Sequence, residues 1–443
     1  MRDIVLSLVF AALLVMAFRI PAVGVYLYTW ISMMSPHKLT YGFAFNLPFA
    51  QIAALVTLVM LVVTKHKRAL PRDPVVYTLV AMLLWMTVTS MFALAPASDV
   101  WDRWLFVLKI QVMLLVTWML IHEPAQLRVL IWVVTLSVGF YGIKGGVWAV
   151  LQGGGGRVWG PSGGLLQGNN ELAVALVMLL PFLYYLRQTE SRRWLRHVLL
   201  FFMIACCFSV LGSQSRGALL ALVACSFFLG IKSKYPVRMT VSLVILVGCA
   251  IMFMPESWTS RMETIGSYQE DTSAMSRIWT WKTLWAAAVD RPLVGAGFRA
   301  DSLQVFARYA PTEPPYDIFI GQYYVAHSIY FQMLGEHGFP GLGLFLLLGL
   351  VTWFRAGRIA RETRNDPAFG SWMPVLMRMV QVSLIGFAAG GAFLSLAYLD
   401  LTYYLIGYVV ICSGILRRQR AQETQSRPQT PAGVATASVR RTT

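Results

Sequence analysis

Four side chains in this sequence combine a reactive type with a telling position: His327, Arg216, Arg277 and Arg157. A histidine takes up and releases a proton near neutral pH, and an arginine offers a permanent charge with a fork of donors matched to phosphate. His327 opens the stretch AHSIYFQMLGEHGFPGLG, Ala326 to Gly343, at the head of a long apolar run. Arg157 lies in a glycine-rich loop, GGGGRVWGPSGG. Arg216, in SQSRGALL, begins another apolar run, and the turn before it offers backbone N–H groups to an anion. Bland readings stand beside these: a helix-entry histidine that only bonds a neighbour, and arginines that snorkel to an interface or pair with loop carboxylates.

Other groups are chemically suspect for where they sit. Lys144, in YGIKGGV, and likewise Lys109 and Asp400, fall within apolar runs, where a charge is costly. Gly142, Gly145 and Gly146 predict close helix contact around Lys144. On one continuous helix of about 3.6 residues per turn, His327, Gly338 and Gly341 would share a face. Glu336 and His337 would lie roughly 13–15 Å below His327 and read as hydrogen-bonding groups between helices.

The elements that must hold these groups are membrane spans. The chain is 57% hydrophobic and 13% charged, more apolar surface than a soluble fold can hide. Many runs approach the roughly 20 residues that cross a bilayer as helix, and no strand alternation is visible. The net charge of +17 sits in short basic blocks between apolar runs, a positive-inside pattern that speaks against nucleic acid as partner. The expected fold is an all-α integral membrane protein of about twelve crossings with both termini inside. Residues 1–254 form an N-terminal bundle with an outer glycine-rich loop at 152–168; 255–325 form a large outer loop; 326–420 return to the membrane; 421–443 form a disordered inner tail. Residues 4–34 count as one crossing, interrupted at Pro21.

Within the outer loop, SAMSRIWTWKTLWAAAVDRP reads as an amphipathic helix capped by Ser273 or Ser276, with Ile278, Trp281, Leu284, Trp285 and Ala288 on its apolar face. Trp279, Trp281, Tyr323 and Tyr324 can stack on sugars, although aromatic rings are normal at membrane interfaces. Five cysteines lie in apolar runs without metal or disulfide spacing and read as packing residues. No metal-ligand motif, nucleotide loop or compact carboxylate pair stands out, so neither cofactor nor metal is expected.

His327-Ser328, nine residues, then Gly338-Phe339-Pro340-Gly341 resembles the ligase motif H-[N/S/Q]-x9-G-x-x-G of the O-antigen ligase and polymerase family. SQSRGALL resembles that family's S-R-G motif, and SRIWTWKTLW…RPLVGAGF its R…W…hPlxGxG segment. ISMMSPHKLTYGFAFNLPFA, YGIKGGVW and RVWGPSGGLLQGNNELA are similar to exosortase-A-associated O-glycosylation ligases. The resemblance implies a GT-C-like glycosyltransferase of the bacterial inner membrane, active on the periplasmic side without metal. Its donor would be a glycan on undecaprenyl diphosphate and its acceptor a lipid A–core sugar, with membrane lipids around a monomer. His327 would act as base, with Arg216 and Arg277 neutralising the leaving group; Arg157, Lys144, Asn170 and Tyr330 would contact diphosphate or sugar. A glycan polymerase and a protein O-glycosylation ligase share this chemistry; a transporter of an anionic lipid or glycan is the rival of another class.

Overall fold

The computed structural model describes residues 1–154, 156–161, 163–164, 166–233, 272–312 and 322–426, with isolated positions between 237 and 248. The apolar run at 239–254, read as a further span, falls mostly outside these, as do 255–271 and 313–321 of the outer loop and 427–443 of the tail expected at 421–443, whose residues 421–426 continue the last helix. The described residues form helices and turns, with no strand among them. They are α1 (Arg2–Arg19), α2 (Pro21–Met34), α3 (Phe49–Val63), α4 (Pro74–Met91), α5 (Ala97–Leu120), α6 (Pro124–Leu151), α7 (Asn169–Thr189) and α8 (Arg193–Gly212). There follow α9 (Arg216–Lys232), α10 (Thr272–Asp290), α11 (Leu303–Tyr309), α12 (Ile329–Glu362), α13 (Trp372–Gly391) and α14 (Asp400–Ser426). Eight of these, α4 to α8 and α12 to α14, are long and apolar enough to cross a membrane, and α3 is a shorter apolar helix. The chain is therefore a multi-pass helical membrane protein, while a count of twelve crossings goes beyond those eight helices.

The bundle has two unlike ends. At one, Asp73 is wholly buried and caps α4 by accepting Val75 N–H at 3.1 Å. The same carboxylate takes Arg355 Nε at 3.2 Å, Arg417 at 2.8 Å and the Ser413 hydroxyl at 2.7 Å. This clasp joins α4, α12 and α14. Nearby, Arg128 pairs with Glu190 at 3.0 Å, Arg420 pairs with Asp366 at 3.1 Å, and Arg418 donates to His122 O. The basic blocks after α3 and α7, at the end of α12 and late in α14 thus gather at one end, as the charge pattern predicts.

Two expectations are corrected. Residues 4–34 are not one interrupted crossing. Ile20 is extended (φ −127°, ψ 91°), Pro21 starts a new helix, and the chain folds back. Asp3 accepts N–H groups from Gly42 (3.0 Å) and Ala44 (3.1 Å), just beyond α2, while Tyr26 early in α2 donates to Gln126 O at 3.0 Å. Met1 therefore lies at the end opposite the basic clasp, and the two termini of the described fold are at different ends.

The second correction concerns α12. His327 precedes the helix, and Gly338 interrupts it at φ 67°, ψ −171°, so His327, Gly338 and Gly341 do not share a helical face. The break has a partner. Ala296 N–H donates to Gly335 O at 2.7 Å, Phe339 N–H donates to Pro292 O at 2.9 Å, and Trp85 Nε1 donates to His337 O at 3.0 Å. The turn after α10 docks into the gap that the interrupted ladder leaves. A Cβ on Gly338 would strike the Leu293 carbonyl, and its left-handed φ disfavours any other residue.

Two outcomes follow from this packing. Gly338→Ala loses about 1–3 kcal/mol from backbone strain alone, read as a lowered thermal transition in detergent; an unchanged transition would mean that the turn and helix do not dock this way. In sealed vesicles, cysteines introduced at Arg2 and Gln425 label with a membrane-impermeant maleimide from opposite faces; labelling from one face contradicts the α1–α2 hairpin.

Candidate functional site

The end opposite the clasp collects the loops after α2, α4, α6, α8, α10 and α13 and the segment before α12. Among the described residues, four non-glycine positions have left-handed φ, and all sit here: Ser35 (47°), Gln214 (57°), Arg299 (64°) and His327 (44°). Such strain persists only where surrounding structure enforces it, and it concentrates at working sites.

His327 is held in its turn from two sides. Its N–H donates to the Ser395 hydroxyl at 2.8 Å. Trp281 of α10 donates from Nε1 to Ala326 O at 2.7 Å, and its ring stacks on Phe331 at 5.1 Å. Ser328 then caps α12 by accepting Phe331 N–H. The backbone is thus pinned on both sides of the imidazole, while the enclosed Nδ1 has no hydrogen-bond partner among the described residues. Burial first, and the guanidinium of Arg277 second, lower the imidazole pKa to about 4. His327 is neutral at pH 7, with a free ring nitrogen to receive a proton.

Arg277 enters from α10, which packs on α12. The buried face of α10 carries Trp279, Thr283, Leu284, Ala287 and Ala288, and Trp285 is exposed. This is rotated from the expected face, because the helix is covered by protein: Trp279 meets Phe306 (5.5 Å) and Tyr324 (6.2 Å), not a lipid boundary. Arg277 lies within electrostatic reach of Glu171 in the first turn of α7 as well as of His327.

The turn bearing Arg216 joins the same cluster. Ser215 caps α9 by accepting Ala218 N–H at 3.2 Å. Asn169 donates to Ser213 O at 2.8 Å, and Arg157 Nε donates to the Gln214 side chain at 3.3 Å. A Cβ on Gly217 would lie 3.2 Å from Phe393, two residues before the Ser395 that holds His327. Asn170 is half-buried in the first turn of α7. Tyr330 is turned away, its hydroxyl donating to Ala388 O at 2.9 Å.

Lys144 requires a correction. The glycines around it do pack α6 on α8: a Cβ on Gly145 would press on Val158 and Ser209, and one on Gly146 on the Ala205 backbone. Lys144 itself points the other way and is exposed. The same tight contact that buries its neighbours therefore turns the ammonium outward. It lines both a cavity of about 380 Å³, bearing Lys38 and Arg157, and an apolar groove of about 700 Å³ between α1, α2 and α6. Lys38 is held there by donating to Phe45 O at 3.1 Å.

Sequence reasoning passed over Ser395, Arg103, Arg299 and Asp301. A signal existed for Arg103: it is a cation at the loop end of a span, the same anomaly that marks Arg216. Nothing in the local sequence marks Ser395, whose role is a tertiary contact.

A testable consequence concerns the imidazole. Because its folded pKa lies below the ordinary 6.5, the unfolded chain binds the proton more readily. This group's linkage therefore costs stability as pH falls from about 6.5 toward about 4, and not above. In histidine-labelled protein, the resonance missing from His327→Gln should titrate near 4 and move upward in Arg277→Gln. A midpoint at the free-histidine value contradicts the enclosed setting.

Comparison with known families agrees with this arrangement. Residues 1–191 match the model of a family of unknown function. Residues 201–346 match the model described as O-antigen ligase. No curated protein matches the chain. The matched stretch runs from α8 through Arg216, Arg277, His327 and the break at Gly338, and over it the chain is similar to the O-antigen ligase family.

Proposed function

We propose that the protein is an inverting glycosyltransferase of the bacterial inner membrane. It moves a glycan from undecaprenyl diphosphate to a hydroxyl of a lipid A–core sugar at the periplasmic face. The observation that carries this reading is the neutral, enclosed His327 beside Arg277, at the same end of the bundle as a basic cavity that shares Lys144 with an apolar groove. An amphiphile with an anionic head matches that combination: the polyprenyl chain lies in the groove and the diphosphate near Lys144 and Arg157.

In the reaction the acceptor oxygen attacks the anomeric carbon from the face opposite the diphosphate. The carbon–oxygen bond to phosphate breaks with its electron pair leaving on the diphosphate, and the acceptor proton passes to His327. Arg216 and Arg277 offset the charge that develops on the departing oxygen. A pKa near 4 makes the resting imidazole a weak base. Arrival of the diphosphate against Arg277 removes part of the repulsion and raises the proton affinity of His327 just when a proton must be accepted. The base is thus armed by the donor.

Purified protein, lipid-linked glycan and candidate acceptors provide the test, with a chelator in parallel. His327→Ala should lower transfer by about 10²–10⁴-fold while the donor still binds. Arg216→Ala and Arg277→Ala should weaken donor binding and turnover together. Normal turnover of the histidine variant, or loss of transfer in chelator, would refute the respective roles.

A further inference from the structure

A second polar cavity lies across Trp159 from the basic one, and the two are charged differently. It measures about 530 Å³ and is bounded by α5, α7, α12, the turn after α10 and the segments around Ala326 and Ser395. Ala326 directly precedes His327, and Ser395 holds its N–H, so the cavity borders the backbone on either side of His327. Two guanidinium groups, Arg103 and Arg299, face three carboxyl groups, Glu171, Asp301 and Glu336. Arg299 is already matched by Asp301 at 3.6 Å. Among its described lining residues the basic cavity carries Lys38, Lys144 and Arg157 and no carboxyl group. Trp159 lines both.

Glu336 is the most constrained group in this second cavity. It is only 6% exposed, and Tyr398 O–H donates to its Oε2 at 2.5 Å. Tyr398 is held in turn by His337 Nε2 at 2.8 Å, and His337 Nδ1 lies 2.7 Å from Thr89. Arg103 sits over the Tyr398 ring at 5.4 Å. This chain of contacts anchors one carboxylate oxygen and leaves the other as an acceptor. Gln332 is the complement: its carbonyl oxygen accepts Ala397 N–H at 3.3 Å, so its amide NH₂ remains to donate. A buried acceptor and donor fixed a turn apart on α12 match the paired hydroxyls of a sugar ring.

We propose that this cavity binds the terminal sugar of the acceptor, that Glu336 and Gln332 hold its hydroxyls, and that it selects sugars bearing no phosphate or carboxylate. This inference rests on the glycosyltransferase reading for the word acceptor, though not for the presence of a sugar site. Three carboxyl groups disfavour an anionic sugar here, whereas the basic cavity across Trp159 favours one. The two substrates are thereby sorted by charge: the diphosphate-bearing donor enters one side, and a neutral or amino sugar the other. Discrimination of this kind comes from what a site repels as much as from what it attracts.

The experiment uses full-length protein in nanodiscs and three photoreactive diazirine glycosides built on one scaffold: glucose, glucosamine and glucose 6-phosphate. Crosslinked positions are mapped by mass spectrometry. The glucose and glucosamine probes should label residues 299–301 and 324–332 about tenfold more than the phosphorylated probe, a preference worth roughly 1.4 kcal/mol. Glu336→Gln and, separately, Asp301→Asn should narrow that preference severalfold; the second lies on a surface turn and serves if the first does not fold. Equal labelling by the phosphorylated probe, or a preference untouched in folded variants, overturns the proposal. Sugar labelling here without any glycosyl transfer would remove the proposed function and keep the sugar site. Transfer accompanied by labelling that bypasses this cavity would remove the sugar site alone.

Discussion

The break at Gly338 is the constraint on which the arrangement of this end depends. An unbroken α12 would satisfy its own carbonyls and present a closed surface to α10. Broken there, it gives Gly335 O to Ala296 and receives Pro292 O at Phe339. The turn after α10 is thereby seated in α12, and α10 is fixed at its C-terminal end. Trp281 fixes it again nearer its middle, through Ala326 O. Arg277 rides on α10, and His327 precedes α12, so two attachments on the same pair of elements set the guanidinium against the imidazole. Neither residue has to hold the other. This matters because the two repel whenever the imidazole is protonated, and a contact that is unfavourable in one protonation state has to be imposed from outside.

Imposed proximity explains the electrostatics. Desolvation and the Arg277 charge act in the same direction on His327, keeping it neutral. Glu171 is within reach of Arg277, but it stands in the first turn of α7, on the border of the mixed-charge cavity. The same carboxyl that moderates Arg277 therefore also contributes to the repulsion of anions from that side. One residue helps define both neighbourhoods.

The sequence made the membrane class and the basic end legible, because each rests on local composition. Charge blocks after Val63 and Thr189, around Glu362 and after Leu416 all fall at the clasp end. What it did not make legible were facts that arise between elements. Helical periodicity carried through Gly338 as if the ladder were intact, since glycine and proline in GFPG do not announce whether they bend a helix or open it to a partner. Lys144 reads as buried because its neighbours are apolar, and only the packing of Gly145 and Gly146 on α8 shows which way the intervening side chain must turn. Pro21 correctly marked a discontinuity, but a break and a reversal look alike until Asp3 is seen bonded beyond the end of α2.

That reversal bears on the site. By bringing α1 back along α2, it closes one wall of the apolar groove whose far end is Lys144. It also delivers residues 35–39 to the loop end, where the left-handed Ser35 and the short helical turn after it place Lys38 in the basic cavity. Were residues 4–34 a single interrupted crossing, neither the groove nor its third cation would exist. The N-terminal hairpin thus supplies a wall of the apolar groove, and the segment that matches the O-antigen ligase model carries the imidazole, Arg216 and Arg277. Between them stands the glycine-rich loop, tied to the ligase segment by Val158 N–H on Gly212 O at 3.1 Å and by Arg157 on Gln214. The two halves of the chain meet chemically at that loop, which is why a single tryptophan, Trp159, can wall two cavities of different charge.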